Sequence, residues 1–190
     1  MELGLALGIG IGLASVAGVR AFAPLALAAI FAVVGGLALP YEEMGGWSAV
    51  GVLSALAVLE IVLDKIRALE RVFNYAMIPV RAASGALLLA MALALGPDTG
   101  SVPWLMAGAL IAGVVAVLKV ALRPPASTAS AGVSATSLSG FEDLVGILGG
   151  TLALFVPYLP VLLVAFLLFF YYRVRKRRGR KFGGLRILGD

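Results

Sequence analysis

Glu60 and Asp64 stand four residues apart in one apolar run, and Lys119 and Arg123 stand four apart in another. Residues at that spacing share a helix face, so each run presents two like charges to its neighbours. Arg20, Lys65, Arg81, Glu142 and Asp143 also lie inside or at the ends of apolar stretches, making nine charges in all. Ionisable groups at membrane depth are costly and face a partner or a water-filled cavity, so they define a candidate site. The chemistry open to them is binding and coupling: Arg20, Arg81, Lys119 and Arg123 can hold an anion, while Glu60, Asp64, Glu142 and Asp143 can carry a proton or cation, or gate. A plainer reading pairs Glu60 with Lys119 and Asp64 with Arg123 as salt bridges between two helices.

Helix starts are expected to place several of these groups. Arg20 comes four residues before Pro24, and Arg81 follows Pro79 in what reads as the first turn of a fourth segment. Proline is favoured there, but a cation opposes the helix dipole and calls for an anionic neighbour: Asp64, Glu142 or an anionic ligand. Backbone N–H groups at a helix start together with guanidinium groups make anion sites. Ser139 with Glu142 three residues later has the pattern of a capping box, and Asp143 also complements the dipole.

The elements that must carry these residues are apolar runs near 3–19, 22–39, 47–63, 77–95, 104–122, 141–156 and 161–174. At about 1.5 Å per residue, each is short to adequate for a bilayer core of about 30 Å. The expected fold is an all-α integral membrane protein, a polytopic bundle of about seven short transmembrane helices. The alternative is five long spans with broken or re-entrant first and last elements. Breaks at Gly18, Arg20 and Pro24, and at Pro157 and Pro160, favour seven. So does charge sorting, which puts Arg20, Lys65, Arg67, Arg71, Lys119, Arg123 and the basic tail on one side and Glu2, Glu42, Glu43 and Asp98 on the other. That predicts an outside N-terminus and a cytoplasmic C-terminus, with one transmembrane domain over 1–174 and a basic cytoplasmic tail over 175–190.

Between the segments, Lys65 to Tyr75 reads as a short helix lying in the inner interface, and 123–140 as a flexible linker or as irregular backbone lining a cavity. AVLEIVLD over 57–64 echoes AVLKVALR over 116–123, which suggests an internal repeat with the charges reversed. Gly4, Gly8 and Gly12 recur every four residues and allow close helix packing, including contact with a second copy.

Composition narrows the function. The chain is 62% hydrophobic and 13% charged over 190 residues, against about 25% charged for an average soluble domain. No basic n-region or cleavage pattern marks a signal peptide, so the first run is expected to stay as a span. The chain has no Cys and no His, which removes disulfides, thiolate chemistry and the commonest metal ligand and general base. No catalytic residue, metal or cofactor is therefore assigned. The net charge of +5 comes largely from Arg173, Arg175, Lys176, Arg177, Arg178, Arg180 and Lys181, which read as an anchor on anionic lipid rather than a nucleic-acid arm.

One family shares the order of these motifs. Gly18-Val19-Arg20-Ala21-Phe22 with Pro24, Leu59-Glu60 with Asp64-Lys65-Ile66, Val80-Arg81 with Gly85-Ala86, Ser127-Thr128 and Gly132, and Ser139 with Glu142-Asp143 together resemble the uncharacterised membrane family called domain of unknown function 4126. The likeness runs over roughly residues 10 to 165. Arg67, Ala82 and Ala135-Thr136 depart from that family's pattern, which has proline, proline and Asn-Pro at those places. The resemblance implies a multi-pass protein of the bacterial inner membrane and brings no activity with it.

The expected function is a small transporter or channel-like protein with a cytoplasm-facing charged site for an anionic solute or an anionic lipid head group, coupled to a proton or cation. Two alternatives stand beside it: a structural or accessory membrane protein whose charges are paired internally, and a membrane enzyme acting on a lipid-linked phosphate with Asp64 or Glu142 as general base.

Overall fold

In the computed structural model the chain is all-helical: α1 (Leu3–Ala17), α2 (Phe22–Gly35), α3 (Trp47–Asp64), α4 (Glu70–Ala92), α5 (Val102–Leu122), α6 (Ala135–Phe155) and α7 (Leu159–Gly183). The structure describes residues 3–35, 44–66, 69–95, 101–123 and 135–183, without the side chains of 70, 71, 135, 136 and 177–183. Four helices are long and apolar enough to cross a membrane, with spans over Trp47–Asp64, Val72–Ala92, Val102–Leu122 and Ser137–Phe155, and α1 and α2 are shorter apolar helices. The chain is a multi-pass helical membrane protein.

The short helix α1 runs through the middle of the bundle and packs against α4, α5, α6 and α7. Small residues make this approach possible, since Gly8, Gly10, Gly12, Ala14 and Ala17 are all buried on it. A Cβ on Gly8 would come within 2.6 Å of Pro157 Cβ and 2.8 Å of the Tyr158 ring, and one on Gly12 within 3.3 Å of Pro160. The glycine stripe therefore receives the turn between α6 and α7. Tyr158 occupies that turn with φ 67°, and its hydroxyl donates to the carbonyl of Gly4 at 3.0 Å. The closest pairing is α4 with α5, where Gly85 faces Ala112 and Gly108 faces the Gly85 carbonyl with no room for a side chain.

Polarity is inverted on α3. Its buried residues are Glu60 and Asp64, while Val52, Val58, Leu59 and Val62 are exposed. A soluble helix turns its apolar face inward; this one gives it to lipid and turns its carboxylates to the protein.

Two expectations at helix starts are corrected. The fourth helix begins at Glu70, so Pro79 lies inside it and Arg81 sits at its midpoint rather than in its first turn. Proline leaves the Tyr75 carbonyl without its helical N–H partner, but such breaks are tolerated where neighbouring helices enclose the backbone. As a result Glu70 to Tyr75 is the first part of α4, not a separate interfacial helix; Arg67 and Ala68 lie outside the described residues. The sixth helix likewise begins at Ala135, which puts Ser139 a full turn inside it and rules out its role as N-cap. The remainder of the expected linker, 124–134, lies outside the described residues, as do the Ser127-Thr128 and Gly132 motifs and the acids Glu2, Glu42, Glu43 and Asp98. The basic stretch continues α7 as helix to Gly183.

Candidate functional site

The C-terminal ends of α1, α3 and α5, the N-terminal parts of α2 and α6 and the first half of α4 as far as Arg81 meet toward one end of the bundle. There the structure brings together all eight residues the sequence singled out as ligand-binding or coupling groups. Arg20, Glu60, Asp64, Arg81, Lys119 and Glu142 are each 2% exposed or less. The Arg123 side chain is 7% exposed and that of Asp143 15%, whereas Lys65 is 48% exposed at the rim.

Asp64 is one hub. Its Oδ2 accepts from Arg20 Nη2 at 2.9 Å and from Ser139 Oγ at 3.1 Å. Its Oδ1 accepts from Arg123 Nη1 at 2.9 Å and from Asn74 Nδ2 at 2.7 Å. Glu142 is the second hub: Oε2 lies 2.8 Å from Lys119 Nζ, 3.2 Å from Arg123 Nη1 and 3.6 Å from Arg20 Nη2, and Oε1 accepts from Tyr171 at 2.5 Å. Arg20 also reaches Asp143 at 2.6 Å, and Lys65 closes on the other Asp143 oxygen at 3.4 Å. Carboxylates surround Arg20 and Arg123. Burial opposes the charged form of each guanidinium, but Glu142 and Asp64 outweigh it, and the pKa of both rises above the ordinary arginine value.

Glu60 does something different. Its Oε1 and Oε2 accept from the backbone N–H groups of Ala21 and Phe22 at 3.2 and 3.1 Å, capping α2 from another helix. Arg81 Nη2 stands 3.5 Å from Oε1 and donates to Asn74 Oδ1 at 3.1 Å. Asn74 thereby joins the Glu60–Arg81 pair to the Asp64 hub.

Of the two salt bridges expected from spacing, Asp64–Arg123 forms. Glu60–Lys119 does not: Lys119 turns to Glu142 and to the Val19 carbonyl at 2.9 Å, because the α1–α2 turn lies between it and Glu60. Gly146 makes room for Arg20, since a Cβ there would come within 2.9 Å of Arg20 Cγ. Two participants, Tyr171 and Asn74, were not read from the sequence, and Ser139 reads there only as a cap. Tyr171 looks like an interfacial aromatic at the end of an apolar run. Asn74 carries a usable signal, lying seven residues and two turns before Arg81 on one face of α4.

The profile of the family described as "Domain of unknown function (DUF4126)" matches residues 7–177. The chain belongs to this DUF4126 family. No curated protein and no solved structure matches it. For a DUF4126 member, then, the geometry itself must indicate the chemistry. The DUF4126 cluster holds four acids (Glu60, Asp64, Glu142, Asp143) and four largely buried bases (Arg20, Arg81, Lys119, Arg123), with Lys65 as a fifth at the rim. Pairing is nonetheless incomplete. Nε and Nη1 of both Arg20 and Arg81 are buried without a hydrogen-bond acceptor among the described residues.

Proposed function

We propose that this protein is a small membrane transporter or channel-like protein whose charged cluster binds an anionic solute or an anionic lipid head group at the cytoplasmic end of the bundle. The observation that carries this reading is the set of unmatched donors on Arg20 and Arg81. A buried guanidinium N–H without an acceptor is costly, and the planar fork of arginine suits carboxylate and phosphate oxygens. In this scheme Arg20 and Arg81 contact the anion, and Lys119 and Arg123 supply further positive field. Glu60 or Asp64 carries the coupling proton or cation, and Glu142 with Asp143 neutralises or gates. Arg173, Arg175 and Lys176 follow the apolar part of α7 directly, which supports a cytoplasmic C-terminus on anionic lipid of the inner membrane.

The test is flux. Purified protein in liposomes is assayed for chloride, phosphate and small carboxylate movement and for transbilayer transfer of an anionic lipid. At least one should move, and Arg81→Lys, which keeps the charge but loses the fork, should cut the rate about tenfold, the loss of one charge-assisted contact. Protein that moves none of them sinks the reading.

A second reading is favoured by the near balance of acids and bases: an accessory membrane protein in which the cluster locks the helices together. Neutralising both members of a pair, as in Lys119→Met with Glu142→Gln, should then restore folding lost in either single variant, with no flux in any of them.

A further inference from the structure

Glu60 is bound as a ligand would be. The start of α2 exposes N–H groups that no local side chain takes up: its first turn contains no acidic residue, and Pro24 has no N–H to offer. Free N–H groups and the positive end of the helix dipole make such a start an anion site. Each Glu60 oxygen takes one N–H, from Ala21 at 3.2 Å and Phe22 at 3.1 Å, with Arg81 Nη2 at 3.5 Å from the first. Arg81 itself is fully buried, and its Nε and Nη1 have no acceptor among the described residues, so the guanidinium at this site has capacity beyond Glu60.

The helix that supplies Glu60 is held at its end by Asp64, which accepts from Arg20, Asn74, Arg123 and Ser139, and buries little else. It packs on α2 and more lightly on α4, and its buried residues are Glu60 and Asp64. A small movement of the Glu60 side chain would expose little apolar surface, because Val52, Val58, Leu59 and Val62 of α3 are already exposed and, among the described residues, only Leu53 of this helix packs on the core.

From these observations we infer that the α2 start and Arg81 form a binding site for a small monocarboxylate, and that Glu60 is its resident occupant, displaced when the solute enters. The inference rests on the anion-binding reading above and gives it a ligand class and a gate. Two coplanar oxygens 3.1 and 3.2 Å from adjacent amides fit a carboxylate of the formate or acetate type. The solute takes the place of a group of the same charge beside the α2 amides and Arg81, and the Glu60 side chain is the group that moves.

The experiment measures formate binding to the full chain in detergent by calorimetry, for the wild type, Glu60→Gln and Gly51→Ala. If Glu60 holds the site nine-tenths of the time, removing its charge should tighten the apparent formate Kd about tenfold. Gly51→Ala alters α3 at a position that meets nothing within 4 Å, leaves Glu60 on the α2 amides, and should give no such tightening. Equal effects of the two variants, or no tightening in Glu60→Gln, overturn the inference. Glu60→Asp gives a second measure: one methylene shorter, it retreats from the amides, and formate should again bind more tightly than to wild type. A chain that folds with neither substitution also overturns the inference, since an occupant that must leave cannot be indispensable to the fold. Tight formate binding by Glu60→Gln without flux in liposomes defeats the transport reading and leaves this site standing. Wild-type flux with no tightening in Glu60→Gln does the reverse.

Discussion

Lys119 Nζ lies 2.9 Å from the carbonyl oxygen of Val19, so a buried ammonium at the end of α5 holds the turn that joins α1 to α2. The same nitrogen lies 2.8 Å from Glu142, tying that turn to α6. One side chain thus fixes three elements around the charged cluster.

Removing Lys119 should therefore be costly. Lys119→Met leaves Glu142 without its closest cation, although Arg123 and Arg20 stay beside it, and should lower stability by about 1.5–3 kcal/mol, the contribution of one hydrogen bond to a charged group. Adding Glu142→Gln should recover part of the loss. Thermal unfolding in detergent, followed by circular dichroism for the two singles and the double, checks the sign of the coupling; simple additivity would contradict the pairing.

Tyr171 donates to Glu142 from the far side, linking α7 to the same hub. Tyr171→Phe keeps the ring and removes only the hydroxyl. A hydrogen bond to a charged group contributes about 1.5–3 kcal/mol, and the variant should be destabilised by that order. A neighbouring Tyr172→Phe variant, at a half-exposed ring, should unfold like wild type.

Glycines separate tight from open places on the helices. A Cβ on Gly85 would clash with Ala112, so Gly85→Ala should prise α4 from α5 and cost about 1–3 kcal/mol through overpacking. Gly51→Ala meets nothing within 4 Å on α3 and should be neutral or slightly stabilising, as alanine favours a helix. Melting temperatures of the two variants side by side decide the matter.

Because the chain contains no cysteine, single cysteines report sidedness directly. In the seven-crossing arrangement, Lys65→Cys should react with a membrane-impermeant thiol reagent from the cytoplasmic side and Trp47→Cys from the outside; both residues are exposed at opposite ends of α3. Labelling of both from one side would remove the proposed topology.

The sequence by itself determined the membrane class, the seven helices and the charged residues of the cluster, because long apolar runs broken at Gly18–Pro24 and Pro157–Pro160 leave few alternatives in lipid. It also placed Asp64 opposite Arg123, since both end their helices at the same depth. Only the tertiary structure decided who else pairs with whom. Glu60 and Lys119 satisfy the spacing rule equally well, yet the α1–α2 turn comes between them and takes both: its amides bind Glu60 and its carbonyl binds Lys119. Helix starts were misread at Pro79 and Ser139 because local punctuation rules assume ends exposed to water, whereas here neighbouring helices enclose the backbone. Spacing fixes which face a side chain occupies; the partner across from it depends on how far each helix is rotated and shifted, and close packing of Gly85, Gly108 and Gly146 sets that.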